Sequence, residues 1–254
     1  MKIRIKFSKT GAMRYVGHLD TMHYFQKAFR RTGLKIAFSK GFSPHMLLTF
    51  ASPLSIGMTT SGDYLDIVLD EELPADQVLS RINQQLSEGF EALQAVRLRE
   101  EAKTPMALLR AASYQIYPSC IDRSAAAAIF DQAKSLMRQE SIIVTKKTKK
   151  GESIQDIRPL IYRLERKDES STPVLSMMAA SGSIEHLKPD LIMNALVHFS
   201  IQSGVIPDEN IYEDNKDLLW HYHRTGLYGV DPRILKPGDP LGSNQPEPLI
   251  MLDI

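Results

Sequence analysis

The sequence predicts an α+β fold of two ferredoxin-like (split βαβ) domains in tandem, followed by an irregular Pro/Gly-rich C-terminal tail. Strand and helix periodicities follow the order β-α-β-β-α-β over the first hundred residues, and a similar order of elements follows it. Prolines and glycines then recur from Gly226 onward. The expected limits are a basic N-terminal domain at 1–102, a second domain at 103–224 and the tail at 225–254.

The first domain begins with polar and apolar residues that alternate over 2–7, which is the period of a half-buried strand. A helix follows, which Asp20 or Thr21 can cap and which Gly33 can end in the left-handed conformation. Further strands are expected at 34–38, 46–50, 64–69 and 90–98, with a second helix over 77–86.

The second domain repeats the order of elements without residue-level similarity, and its last strand is not located by pattern. The expected elements are a strand at 114–117, an alanine-rich helix at 123–138, a hairpin formed by 141–145 and 157–164, a strand at 174–179 and a helix at 189–201.

Composition limits the chemistry that the chain can carry. Cys120 is the single cysteine, which excludes an internal disulfide and a cysteine-rich zinc or iron-sulfur site built by this chain alone. No apolar run is long enough to span a bilayer, and the N-terminus lacks the apolar core of a signal peptide. We therefore expect a cytoplasmic protein that contacts no membrane and holds no cofactor.

Charge is distributed unevenly along the chain. Residues 1–62 contain ten Lys or Arg against one acid, Asp20, so this segment has a net charge of +9. The remaining residues carry about −8, and they begin with an acidic block from Asp63 to Asp76. This asymmetry predicts one positive face, which favours a polyanionic partner such as RNA.

Two polar loops and one helix supply candidate RNA-binding residues. Phosphates can be held by cations and bases can stack on rings, a combination suited to single-stranded nucleic acid. The candidates are Arg14, Tyr15, Lys27, Arg30, Arg31, Lys35, Lys40, Phe42 and His45. Arg30 and Arg31 can alternatively complement the carboxyl end of their helix, and Phe42 can serve loop packing.

Four lysines form a second basic feature at an expected hairpin tip: Lys146, Lys147, Lys149 and Lys150. Projecting lysines suit contact with a phosphate backbone. They can also be a solvated turn that discourages edge-to-edge strand pairing.

Catalysis is a separate hypothesis. His18 and His45 are candidates for general acid and base in a metal-independent RNA cleavage through the 2′-hydroxyl. A lone histidine on a helix is more often a capping or half-buried residue. No phosphate-binding loop, dinucleotide fingerprint, nucleophile elbow or HExxH sequence is present, and no metal site is expected.

Three strings of residues resemble a known family: RYVGHLD at 14–20, FSKGFSPH at 38–45 and PLSIG at 53–57. They are similar to the N-terminal residues of the bacterial radical SAM-linked proteins. Members of that family are found beside cobalamin-binding radical SAM proteins or fused to them. The resemblance is dense over residues 1–70. It implies a radical SAM partner protein with a cobalamin-binding domain, which would carry the cluster chemistry, and it supplies no catalytic residue.

Together these observations predict an RNA-binding accessory protein that presents ribosomal or transfer RNA to a radical SAM modification enzyme and has no catalytic activity of its own. A metal-independent RNA endonuclease or RNA-modifying enzyme is one alternative. A protein-binding adaptor of the radical SAM enzyme, which uses its basic face on an acidic partner surface, is the other. The oligomeric state is left open.

Overall fold

The computed structural model describes residues 1–148, 151–169, 171–206, 216–229 and 247–249. In these residues the architecture is mixed α+β, with a large, mostly antiparallel sheet and a small two-stranded sheet. The chain forms two compact units. Unit 1 contains the described residues of Met1–Ala111, Gly182–Ile184 and Arg224–Ile254, and unit 2 contains those of Ala112–Ser181 and Glu185–His223.

The first half of the chain forms these elements: β1 Lys2–Lys9, a 3-10 helix at Gly11–Tyr15, α1 His18–Arg31, β2 Leu48–Phe50, β3 Thr59–Val68, α2 Ala75–Asn83, β4 Phe90–Leu98 and α3 Pro105–Leu108. In unit 1, β1 lies between β4 and β3 and is antiparallel to both. β2 pairs antiparallel with the Leu65–Ile67 part of β3.

The core of unit 1 lies between this sheet and its two longer helices. Ile3, Ile5 and Phe7 are buried, as their alternation in the sequence predicts. Phe7 meets Phe25 of α1 edge to face, with ring centroids 5.0 Å apart. Val78 and Ile82 of α2 belong to the same cluster. Burial of these apolar faces fixes α1 against the sheet, and with it the loops at both ends of the helix.

The second half of the chain forms β5 Leu109–Pro118, α4 Arg123–Asp131, α5 Ala133–Leu136, β6 Ile143–Thr148, β7 Gly151–Asp156, a 3-10 helix at Arg158–Leu160, β8 Ile161–Glu169, β9 Thr172–Ala180, α6 Pro189–Gln202, α7 Lys216–Leu219, β10 Trp220–Gly229 and β11 Glu247–Pro248. β5, β9 and β8 are neighbours in that order, and β6 with β7 forms the small sheet.

The hairpin expected from residues 141–145 and 157–164 is wrong in its second strand. β6 pairs with β7, whereas β8 pairs antiparallel with β9. The carboxylate of Asp156 accepts the backbone N–H groups of Ile142 at 2.8 Å and Arg158 at 2.9 Å, which ends the β6–β7 hairpin before the chain reaches β8. A side chain that closes a hairpin leaves no period-2 signal in the sequence.

Other differences are smaller. The alanine-rich segment forms two helices, α4 and α5, with Gln132 between them. Residues 34–38 make only isolated bridges, Ile36 with Leu69 and Phe38 with Met46. The tandem ferredoxin-like arrangement and the domain limits at 102 and 224 stay predictions.

The C-terminal tail is described only in part. Residues 225–229, which the predicted limits assign to the tail, belong to β10, and Glu247–Pro248 pairs with that strand as β11. The rest of the Pro/Gly-rich segment, 230–246, lies outside the described residues. No helix in the described part of the chain combines the length and hydropathy needed to cross a membrane.

Candidate functional site

Three of the predicted arginines of unit 1 lie at opposite ends of α1. Arg14 precedes the first turn, whereas Arg30 and Arg31 lie in the last turn. A helix of this length spans about 21 Å, so these groups do not form one patch around a single point. Lys27 is exposed between them on the outer side of the helix, because Thr21, Phe25, Ala28 and Phe29 face inward.

These cations are available to an anion. Within the described residues, no ion pair involves any of them: Arg14, Lys27, Arg30, Arg31, Lys35 and Lys40. The Nη2 group of Arg31 donates to the carbonyl of Gln85 at 3.0 Å. The backbone N–H of Lys35 donates to Glu71 Oε1 at 2.8 Å, so one carboxylate of the acidic block lies beside the basic segment.

Residues 39–45, here called the Lys40 loop, lie between α1 and β2. The backbone N–H of Ser39 donates to the His45 carbonyl at 2.8 Å, and the His45 N–H donates to Ser39 Oγ at 3.0 Å. Gly41 has a φ of +117°, a conformation that L side chains rarely adopt. Lys40 is exposed at the tip, and the ring of Phe42 is fully exposed.

Arg14 and Tyr15 contact each other before α1. The Arg14 guanidinium carbon lies 4.7 Å from the centroid of the Tyr15 ring, and its Nη2 donates to the Tyr15 hydroxyl at 2.7 Å. The Arg14 carbonyl accepts the backbone N–H of Gly57 at 2.8 Å. This bond brings the 14–20 and 53–57 strings together.

The basic hairpin of unit 2 is described only in part. Lys146 lies in β6 opposite Ser153, and Lys147 pairs in register with Glu152. Lys149 and Lys150 lie outside the described residues, so their predicted role at the hairpin tip stays a prediction.

The two candidate catalytic histidines line different cavities. His18 lines a small cleft with Lys9 and Asp63. His45 lines a different cavity, of about 190 Å³, with Lys2 and Asp66. The Nδ1 atom of His45 is held by Ser39 Oγ at 2.8 Å.

A buried polar cluster, which sequence analysis missed, lies in unit 1 beside the start of α1. Arg224 of β10 donates from Nε to Asp63 Oδ1 at 2.7 Å and from Nη2 to Asp63 Oδ2 at 2.6 Å. Asp63 is 4% exposed and Arg224 is 2% exposed. Thr60 donates to Asp63 Oδ1 at 2.9 Å, and Arg224 Nη1 donates to the carbonyl of Pro53 at 3.0 Å.

Lys9, the last residue of β1, is a buried cation beside this pair. It is 2% exposed, and its Nζ donates to the carbonyl of Val16 at 2.5 Å. Burial lowers the pKa of Lys9, and the positive charge of Arg224 adds to this effect, whereas Asp63 opposes it. One signal in the sequence indicated this position: Lys9 continues the inward-facing set of Ile3, Ile5 and Phe7.

His18 begins α1 and lines the same cleft. Its ring meets Phe50 edge to face at 5.4 Å between centroids. Burial lowers the pKa of His18, Arg224 and Lys9 lower it further, and Asp63 acts in the opposite direction. The lowered pKa of His18 favours the neutral imidazole.

A second charged residue of β1 is also internal. Arg4 is fully buried and donates to both oxygens of Asp66, at 2.9 and 3.0 Å, and to the carbonyl of Leu249 at 2.8 Å. The net charge of residues 1–62 therefore overstates the positive surface, because Arg4 and Lys9 are internal.

Comparison with known proteins assigns the chain to a family. Residues 2–189 match the family described as "Uncharacterized protein conserved in bacteria (DUF2344)", and the chain belongs to it. No curated protein matches the chain. Of the solved structures, a chain from "Crystal Structure of a Cbf5-Nop10-Gar1 Complex" is similar, with 9% identity and a TM-score of 0.42. The match covers 89% of this chain and 48% of that chain, so this chain spans about half its length.

Proposed function

We propose that the protein is an RNA-binding accessory protein that presents ribosomal or transfer RNA to a radical SAM modification enzyme. The observation that carries the RNA part is the set of exposed cations along α1 and in the Lys40 loop, which make no ion pair within the described residues. The exposed Phe42 ring beside Lys40 offers a stacking surface for an unpaired base.

The link to a radical SAM enzyme rests on the resemblance of the three strings of residues at 14–20, 38–45 and 53–57. A single cysteine cannot hold an iron-sulfur cluster, so that chemistry would belong to the partner. Pull-down of the full-length protein with a radical SAM protein from the same genome tests this link independently of RNA binding.

Binding of single-stranded and structured RNA tests the RNA part, measured by fluorescence anisotropy at several salt concentrations. We expect affinity to fall steeply between about 50 and 200 mM salt, because phosphate contacts release counterions. Lys40→Ala combined with Arg30→Ala reduces the logarithmic salt slope by about 1.4, given about 0.7 per phosphate on a single strand. Lys134→Ala is the matched control, since Lys134 is an exposed cation on α5 of unit 2.

Phe42→Leu separates stacking from charge. Loss of the ring lowers RNA affinity by about 1–3 kcal/mol while the salt slope stays the same. Equal affinities of wild type and Phe42→Leu would remove the stacking part of the proposal. Binding that is insensitive to salt would remove the electrostatic part.

The same assays distinguish the alternatives. RNA cleavage that disappears in His18→Asn or His45→Asn while binding persists supports the endonuclease. Capture of a radical SAM protein without any RNA binding supports the protein adaptor.

A further inference from the structure

The cavity of about 190 Å³ in unit 1 lies on the face of the sheet that is opposite to the core. Thr49 of β2 is in register with Asp66 of β3, and Lys2 of β1 is in register with Val68 of β3. Partners in register share a face, as do alternate residues of one strand, so these four side chains project from the same face. Ile3, which follows Lys2, belongs to the core on the other face. Three adjacent strands therefore supply the floor of one cavity.

Three polar side chains that line this cavity have unused hydrogen-bonding groups. Lys2 Nζ donates to the carbonyls of Glu100 at 2.5 Å and Ala102 at 3.3 Å, which leaves one of its three N–H groups without a partner in the described residues. The hydroxyl of Thr49 makes no hydrogen bond within that part of the chain. The Nδ1 atom of His45 is already bonded, so Nε2 is the ring nitrogen that remains available to a ligand. The cavity can therefore both donate and accept hydrogen bonds.

The charges around the cavity favour a neutral ligand. Among the described residues that line it, Lys2 is the one Lys or Arg and Asp66 is the one carboxylate. Asp66 is held by Arg4, with contacts of 2.9 and 3.0 Å. An anion in the cavity would meet the negative charge of Asp66, whereas a neutral ligand would not. Aliphatic residues such as Leu47 and Val68 complete the lining, so the ligand that fits is a neutral heteroaromatic ring with a polar edge.

The volume of the cavity selects the size of that ring. A protein cavity of about 150 Å³ holds benzene, and the cavity of unit 1 is about a quarter larger than that. A pyrimidine base adds two exocyclic atoms to a six-membered ring, which suits the additional space. A purine base has a second ring and does not enter fully.

We infer that this cavity binds a single unstacked pyrimidine base of an RNA strand. Lys2 donates to a carbonyl oxygen of the base, and the Thr49 hydroxyl either donates to N3 of cytosine or accepts the N3–H of uracil. The inference rests on the proposed RNA function, because His45 both lines the cavity and ends the Lys40 loop. The cavity therefore adjoins the loop that contains Lys40 and Phe42.

Fluorescence anisotropy of the full-length protein with oligo(U), oligo(C) and oligo(A) strands of equal length tests base selection. The three strands have the same phosphate charge, so phosphate contacts contribute equally to their binding. We expect the wild type to bind one of the pyrimidine strands about tenfold more tightly than oligo(A), and the tighter of the two identifies the base. Equal binding of all three strands, or a preference for oligo(A), overturns the inference and leaves the RNA proposal standing.

Thr49→Val removes one hydrogen bond to the base with little change of shape. We expect its affinity for the preferred pyrimidine strand to fall about fivefold, while its affinity for oligo(A) and its salt slope stay the same. Thr10→Val is the matched control, because Thr10 is an exposed threonine of unit 1 outside the cavity whose hydroxyl also makes no hydrogen bond to the described residues. A Thr49→Val protein that keeps the full preference overturns the inference.

Val68→Met fills the cavity from its floor, since the longer and flexible methionine side chain occupies the space of the base. We expect this variant to bind the three strands equally. Val96→Met is the matched control: Val96 is in register with Arg4 on the same face of the sheet but does not line the cavity, so this variant keeps the preference. A Val68→Met protein that keeps the preference overturns the inference. If Val68→Met does not fold, Thr49→Val decides.

Nucleosides without a phosphate separate the cavity from the RNA function. Uridine and cytidine are added to the full-length protein, and thermal unfolding is followed with adenosine as the control. We expect the preferred pyrimidine nucleoside to raise the Tm of the wild type, as a ligand does when it binds only the folded state. A rise in a protein that binds no strand assigns the cavity to a free nucleoside and overturns the RNA function. No rise in a protein that binds no strand overturns both.

Discussion

Arg224 and Asp63 are 161 residues apart in the sequence and form a buried bidentate ion pair in unit 1. The pair joins β10 to β3, and Arg224 also donates to the carbonyl of Pro53 in the β2–β3 connection. It therefore fixes three segments around the cleft that holds Lys9 and His18.

Arg224→Met tests how far unit 1 depends on this pair. Removal of the guanidinium leaves Asp63 buried without its ion-pair partner, and the free energy of unfolding falls by about 3–5 kcal/mol. Urea denaturation measures the loss. Arg97→Met is the control: its ion pair with Glu72 is largely exposed on both sides, so the loss is below about 1 kcal/mol.

The double variant Asp63→Leu/Arg224→Met separates the stability contributed by the ion pair from the cost of burying an unpaired carboxylate. With both charges removed, no unpaired carboxylate is buried, so the double variant is more stable than Arg224→Met alone. A double variant that loses the sum of the two single losses would contradict the direct pairing.

His18 gives a prediction about pH. Its pKa is lowered in the folded state by burial, with smaller contributions from Arg224 and Lys9, while Asp63 opposes them. As pH falls below the ordinary value of about 6.5, the unfolded chain binds a proton before the folded protein does, so the wild type loses stability. His18→Asn lacks this loss, and its Tm relative to wild type therefore rises between pH 8 and pH 5. Parallel Tm curves over that range would contradict the burial of the imidazole.

Local sequence patterns predict several secondary-structure elements of unit 1 well. The strand expected at 90–98 is observed as Phe90–Leu98, and Gly33 has the left-handed φ of +71° expected after the first helix. α1 starts earlier than expected, at His18, because Gly17 rather than Asp20 or Thr21 precedes its first turn. These features depend on a few neighbouring residues, so the sequence contains the information locally.

The interior charges could not be paired from the sequence. The net charge of residues 1–62 includes Arg4 and Lys9, and Asp63 begins the acidic block, whereas all three are buried. Their partners are distant: Asp66 for Arg4 and Arg224 for Asp63. A single sequence gives no signal for contacts between residues so far apart. The position of Lys9 in the alternation of β1, on the same side as Ile3, Ile5 and Phe7, does indicate that it is internal.

Gly62 of β3 is a position where a methyl group cannot fit. A Cβ atom there would lie 2.2 Å from the backbone carbonyl oxygen of Thr225, and backbone cannot rotate away as a side chain can. Gly62→Ala therefore lowers the free energy of unfolding by about 3 kcal/mol, measured by urea denaturation. Gly226→Ala is the comparison: the nearest atom is the Tyr228 hydroxyl at 2.9 Å, the end of a side chain that can move, so the loss is smaller. Equal losses of unfolding free energy in the two variants would show that β3 and β10 separate easily at this point.

Ser39 organises the Lys40 loop through its hydroxyl, which accepts the His45 N–H and contacts His45 Nδ1. Ser39→Ala removes both contacts without touching the core of unit 1. We expect the His45 amide to exchange with solvent faster by about tenfold, which corresponds to about 1.4 kcal/mol for a lost hydrogen bond, with no change in global stability. Hydrogen exchange followed by NMR measures this. Ser43→Ala is the matched control, because the Ser43 hydroxyl makes no hydrogen bond to the described residues. If Ser39→Ala and Ser43→Ala exchange at the same rate, the hydroxyl of Ser39 does not hold the loop, and Lys40 and Phe42 are not positioned in advance of binding.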